Sequence, residues 1–182
     1  DGHPVNSNTL FSKWDTAVSN FRGFLLWQLN DGKLRLYISS NGILNPYEQT
    51  NDPVFSDGAQ SAFTLITSVY DSSAQTVTFY ANGVVIASTT TGTITSLFDS
   101  VVPFQVGALG VAATFFYTGQ IGAVMVFNRV LSAAEIQRIY LEDLPRFLVS
   151  WLDWKFMMVS VMVIAFLSFV FLRFHYNNRN YM

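Results

Sequence analysis

Over its first 130 residues the chain alternates short β-type runs with turn signals. "GFLLWQLN" and "KLRLYIS" flank Asp31-Gly32, a dipeptide that suits a tight hairpin because it tolerates positive φ. "AFTLITSVY" follows a polar stretch from Asn41 to Asp57 that holds Pro46, Tyr47 and Pro53 and reads as a long surface loop. In "QTVTFYANGVVIAST" the Asn82-Gly83 pair is again a type I′ signal, with alternating residues on both arms. "VPFQVG" and "GQIGAVMVFN" complete the set of expected strands. Turn chemistry every ~8–12 residues, without a strand–helix rhythm or an internal repeat, predicts an antiparallel β-sandwich.

The period then changes. In "LSAAEIQRIYLED", Ser132 and Glu135 have the spacing of a capping box, in which each side chain satisfies a backbone N–H of the other's turn. Leu131 before the cap and Ile136 beyond it are placed as a hydrophobic staple, and Ile139 and Tyr140 extend the apolar stripe. A short helix is expected, ending near Asp143–Pro145. Residues 142–155 form a membrane-proximal linker or interfacial helix, with Asp143 as a cap and Pro145 in a first turn. "FMMVSVMVIAFLSFVFL", residues 156–172, carries no charge, Pro or Gly. As a helix it measures roughly 25 Å, enough with its flanks to cross a bilayer core. Trp151, Trp154 and Lys155 on one side, and Arg173, Phe174 and Tyr176 on the other, are expected at the two interfaces. Ser160, Ala165 and Ser168 are small residues that would let a second helix approach. Residues 173–182 form a short polar tail. Arg138, Arg146 and Lys155 before the span nearly balance Arg173 and Arg179 after it, so charge does not orient it.

Composition narrows the function. Charged residues make up 12% of the chain and cysteine is absent, so no disulfide framework, thiolate metal site or thiol nucleophile can form. The net charge is −2 and the domain itself is mildly acidic, which argues against a nucleic-acid partner.

From Tyr70 to Tyr140 the order of elements is specific: "VYDSSAQTVTFYANGVVIAST", then "FQVGA", then "FFYTGQIGAVMVFNRVLSAAEIQRIY". This resembles a laminin-G-like domain of the concanavalin A-like lectin/glucanase fold, and "FSKWD" and "GFLLWQLNDGKLRLYISSNG" resemble its earlier part. The resemblance implies an all-β antiparallel jelly-roll over residues 1–141, with the short capping helix; the transmembrane α-helix read from the apolar run comes after it. Domains of this kind usually carry a further strand before the "FSKWD" position, with a Phe-Thr-x-x-x-Trp look. Only "DGHPVNSNTL" precedes Phe11, so the domain is expected to lack its first edge strand, or to have it supplied by a neighbouring chain.

Catalysis is not expected. Glucanases of the fold use paired carboxylates at Glu-x-Asp-x-Glu spacing, and no such run occurs. His3 and His175 are the only histidines, so no triad and no histidine metal site can be assembled. Calcium in laminin-G-like domains is held by two rim loops. Here one of them, "ALGVAATFFYT", has no Asp, Glu or Asn. Asp71 is the remaining candidate, and an Asx-type turn in Asp-Ser-Ser explains it better. No metal or cofactor is expected. Phe115, Phe116 and Tyr117 in succession would alternate faces on a strand, leaving at least one aromatic outward for a sugar or protein contact. Tyr47 is a second such candidate, while Trp14 and Trp27 suit the core.

Two functions follow. One is a non-catalytic, single-pass membrane-anchored recognition or adhesion module that binds carbohydrate or protein. The resemblance implies display outside the cytoplasm, with the C-terminus inside. The other is a structural accessory subunit of a larger membrane complex, with lipid and other membrane proteins as partners. No Asn-x-Ser/Thr sequon occurs in the chain.

Overall fold

A computed structural model describes residues 3–16, 21–43, 45–58, 63–110, 114–142 and 145. The chain divides at Tyr140 into a unit Asp1–Tyr140 and a unit Leu141–Met182. Within the second, only Leu141, Glu142 and Pro145 are described. The expected span 156–172, its interface residues Trp151, Trp154, Lys155, Arg173, Phe174 and Tyr176, and the small residues Ser160, Ala165 and Ser168 lie outside the described residues. Among the described residues no helix is long and apolar enough to cross a membrane.

The first unit holds strands β1 (Asn8–Trp14), β2 (Arg22–Gln28), β3 (Leu34–Gly42), β4 (Tyr47–Thr50), β5 (Ile66–Asp71), β6 (Thr76–Ala81), β7 (Val84–Ile86), β8 (Ser88–Thr91) and β9 (Gln105–Val106). They form two antiparallel sheets: a six-stranded one ordered β8-β4-β3-β2-β1-β9 and a three-stranded one ordered β5-β6-β7. Side chains alternate across a strand, so each strand of the large sheet presents two faces. Leu26, Leu34, Leu36 and Ile38 point inward and pack with Val77 and Phe79 of the small sheet and with Ile94. Burying these side chains removes water from apolar surface, the main term holding the sandwich.

Local chemistry explains the turns. Asn82 and Gly83 both take positive φ (51° and 79°), as the two central residues of a type I′ turn must. The Asn82 side chain also accepts from the Leu65 N–H at 2.9 Å, tying this hairpin to the start of β5. At the β2–β3 turn Gly32 has φ +78°, and any Cβ there would strike the Phe55 carbonyl and the His3 ring. The capping box closes as expected: Ser132 N–H donates to Glu135 Oε2 at 2.9 Å, and Glu135 N–H donates to Ser132 Oγ at 3.3 Å. Residues 133–142 are helical, and Leu131 and Ile136 on either side of the cap are both buried. Asp143 lies outside the described residues, and Pro145 is helical.

Three expectations need correction. The polar stretch 41–57 is not a plain loop, because β3 runs on to Gly42 and β4 occupies Tyr47–Thr50. The strand is hidden in the sequence because its inward residues, Glu48 and Thr50, are polar. Burial is made tolerable by hydrogen bonds, from the Thr90 hydroxyl to Glu48 and from the Leu34 N–H to the Thr50 hydroxyl. "VPFQVG" contributes only the two-residue β9. "GQIGAVMVFN" is not a sheet strand among the described residues; it runs without a ladder partner. Its pattern, apolar on both parities, is that of a strand covered on both faces. Among the described residues no strand pairs with it. As read from the sequence, Trp14 is core, 3% exposed, whereas Trp27 is only partly buried.

Candidate functional site

The face of the large sheet turned away from the small sheet carries a row of aromatic rings. Trp27 on β2 sits beside Tyr37 on β3, with centroids 5.6 Å apart and the rings nearly perpendicular. Tyr37 meets Tyr47 on β4 at 5.3 Å. At the other end Phe115 tilts against Trp27 at 5.8 Å. Strand register produces this row: Tyr37 is directly opposite Leu25 and Tyr47, and Trp27 is opposite Thr9 and Arg35. Beneath the row Trp14, Leu25 and Leu109 make a small second core that supports Trp27 and Tyr37.

Arg35 places a positive charge beside this row. Its guanidinium lies 4.4 Å above the Tyr47 ring and 5.7 Å from the Tyr37 ring, an arrangement stabilised by the ring quadrupole. It donates from Nε (2.8 Å) and Nη2 (2.5 Å) to Gln49 Oε1, and from Nη1 to the Tyr37 hydroxyl at 2.9 Å. Two rings and three hydrogen bonds hold the guanidinium in one orientation. Beside it a polar groove of about 300 Å³ runs along the β4–β8 edge, lined by Lys33, Tyr47, Gln49, Asn51, Thr89 and Thr91. The Thr89 hydroxyl donates to Asn51 Oδ1 at 2.7 Å, which orients the Asn51 amide. An aromatic platform beside clustered hydroxyl, amide and cationic groups suits a ligand with one apolar ring face and many hydroxyls.

The predicted contacts are thus partly united. Tyr47 and Phe115 belong to one row, joined through Trp27 and Tyr37. Phe116 is 61% exposed and takes part in none of the ring contacts found among the described residues. Tyr117 is half-buried against Gly107, its N–H donating to the Gly107 carbonyl at 2.8 Å, and burial pushes its hydroxyl pKa up. The three aromatics do not alternate as on a strand. They follow the isolated Leu109–Thr114 bridge, and Phe115 itself has φ +49°. A non-glycine residue in that region is strained, and its carbonyl is held by the Thr9 N–H at 3.1 Å. Arg35, Tyr37, Gln49, Thr89, Thr91 and the outward side of Trp27 are additions to the sequence reading. The signal for them was parity: Arg35 and Tyr37 are two apart, as are Tyr47 and Gln49, opposite in face to Leu34, Leu36 and Ile38.

Asp71 serves its turn. Its Oδ1 accepts from the Ser73 hydroxyl (2.6 Å), the Ser73 N–H (2.9 Å) and the Ala74 N–H (3.1 Å), which together lower its pKa. Among the described residues no three His, Asp or Glu side chains cluster as a metal site would require.

An antiparallel two-sheet sandwich with an organised outer face defines a class of β-sandwich domains. Within it, residues 1–137 match the family model of the concanavalin A-like lectin/glucanases superfamily, and the chain belongs to that family. A search of curated proteins returned no match. Among solved structures, an S-layer domain-containing protein from Clostridium thermocellum is similar at 16% identity, over 75% of this chain and 64% of that one, with a TM-score of 0.38. The chain therefore spans less than two thirds of that structure's length.

Proposed function

We propose that the chain is a non-catalytic recognition module, tethered to a membrane by residues 156–172, with its sandwich displayed outside the cytoplasm. Carbohydrate is its ligand, taken on the outer face of the large sheet. The observation that carries this reading is the row Phe115–Trp27–Tyr37–Tyr47, pinned by Arg35, alongside the polar groove at Gln49, Thr89 and Thr91. Aromatic faces take the apolar side of a pyranose ring, while the amide and hydroxyl groups meet its hydroxyls. The tether rests on the uncharged run and on the aromatic and basic residues at its ends. Domains of this family are generally non-catalytic binding modules, which supports the absence of a reaction. The test is a glycan array probed with the detergent-solubilised chain. We expect binding that Tyr47→Ala and Gln49→Ala both weaken at least about tenfold, a change of ~1.4 kcal/mol. No glycan bound, or binding indifferent to both substitutions, removes carbohydrate recognition at this face.

A second reading, an accessory subunit of a membrane assembly, is favoured by the edge of β5 that has no strand partner among the described residues. It predicts membrane proteins that copurify in stoichiometric amounts.

A further inference from the structure

Strand register lays a second row across the outer face of the large sheet, and its chemistry changes at each step. Trp27 on β2 stands opposite Arg35 on β3, Arg35 opposite Gln49 on β4, and Gln49 opposite Thr89 on β8. Directly opposite residues share a face, so an aromatic ring, a cation, an amide and a hydroxyl follow one another across the sheet. At ~4.8 Å per strand the row is about 14 Å long, the reach of a short oligosaccharide. Trp27, Arg35 and Gln49 are partly buried and Thr89 is exposed.

The cation in this row has no counter-ion. Arg35 forms no ion pair among the described residues. Its hydrogen bonds go to neutral oxygens, Gln49 Oε1 and the Tyr37 hydroxyl. They use Nε, Nη1 and Nη2 once each. A guanidinium has five N–H groups, so the described residues leave one on Nη1 and one on Nη2. Glu48, beside Gln49 on β4, has the opposite parity: it is 4% exposed and accepts from the Thr90 hydroxyl. Lys33, two positions before Arg35, also lines the groove, and Asp31 at 3.7 Å partly meets its charge.

The net charge of the chain is −2, so no broad positive field gathers polyanions here. Selection falls to contact at one guanidinium, held in one orientation by its neighbours. Two N–H groups on its two terminal nitrogens suit a carboxylate, whose oxygens accept one each. A sugar ring resting against Trp27 would bring a ring carboxylate to the next position of the row.

We propose that the glycan taken on this face is acidic: a sugar whose ring carries a carboxylate, as in uronic and sialic acids, with that carboxylate accepting from Nη1 and Nη2 of Arg35. The proposal rests on the carbohydrate reading above and narrows it to one substrate class.

The experiment presents the full chain in detergent with oligosaccharides containing uronic or sialic acid, each beside its methyl ester, and with neutral and sulfated glycans. At least one free acid should bind at least tenfold more tightly than its ester, and the pairs that respond separate uronic from sialic acid. Arg35→Gln should bring acid and ester to within about twofold of each other. Arg35→Lys keeps the charge without the fork, so its preference should fall between those of the wild type and Arg35→Gln. Thr89→Ala removes an uncharged groove hydroxyl and should weaken acid and ester by the same factor. Because the preference is a ratio within one variant, partial unfolding cancels from it. Esters that bind as tightly as acids overturn the proposal and leave carbohydrate recognition standing. So does a preference that survives Arg35→Gln, or a sulfated glycan bound more tightly than every carboxylated one. If no glycan of any kind binds, both readings fall together.

Discussion

Replacing Tyr47 with Ala tests whether the outer-face row is one packed object. The substitution removes the perpendicular contact with Tyr37 at 5.3 Å and the ring beneath Arg35 at 4.4 Å. Aromatic pairs contribute ~0.5–1.5 kcal/mol beyond burial, and an exposed cation–π contact ~0.5–1 kcal/mol. The expected loss is therefore about 1–2.5 kcal/mol. For a domain of this size that corresponds to a fall in melting temperature of roughly 4–10 °C. A domain with ordinary stability, ~5–15 kcal/mol, remains folded at 25 °C, so loss of ligand binding can be assigned to the site. Tyr47→Phe keeps the ring and should move stability by less than about 0.5 kcal/mol. The assay is thermal unfolding of the solubilised chain followed by circular dichroism, with Arg35→Met and the double variant completing a cycle. Contact between the two groups predicts a coupling of at least ~0.5 kcal/mol. If Tyr47→Ala melts with the wild type, or the cycle shows strict additivity, the row is not packed as described and its role in recognition falls with it.

Two further predictions concern the frame. Gly83→Ala forces a Cβ into a positive-φ position, 3.2 Å from Gln137 Cα, so it should cost more than about 1 kcal/mol in denaturant unfolding, whereas Asn82→Gly keeps the turn and should cost about 0.5–1.5 kcal/mol for the lost bond to the Leu65 N–H. Glu135 has its pKa lowered from 4.5 to about 2, first by the hydrogen bond from Arg129 and then by those from Ser132. Because the folded value is the lower one, its contribution is fully present above pH 4.5 and is lost as pH falls toward 2. Amide exchange at 133–136 should speed up over that window, and Glu135→Gln should abolish the step.

How much was legible depended on whether a residue's neighbour in space was also its neighbour in sequence. The Asn82-Gly83 turn, the Ser132–Glu135 box and the Asp71 turn are local, and the side chains that close them lie within a few positions. The two-sheet architecture was readable because Leu26, Leu34, Leu36 and Ile38 alternate cleanly. β4 was not, since its buried residues are Glu48 and Thr50, whose partners come from β8 and β3. The apolar run at 121–127 has the pattern of a strand but is not one among the described residues, because a strand exists only with a partner edge and the sequence pattern carries no information about that edge. The aromatic row escaped for a similar reason: Trp27, Tyr37 and Tyr47 are separated along the chain and meet only once strand register is fixed.

The order of strands in the large sheet also has a kinetic meaning. β1, β2, β3 and β4 form a meander in which each strand pairs with the one before it, so Trp27, Tyr37, Arg35 and Tyr47 are brought together by short loop closures. β8 arrives over longer separations, as in the Thr90–Glu48 bond spanning 42 positions, and β9 over the longest, pairing Val106 with Phe11 and Gln105 with Ser12. Closing larger loops costs more chain entropy and slows folding. Three of the four rings are therefore set early, and Phe115 joins them with the last edge of the sheet to close.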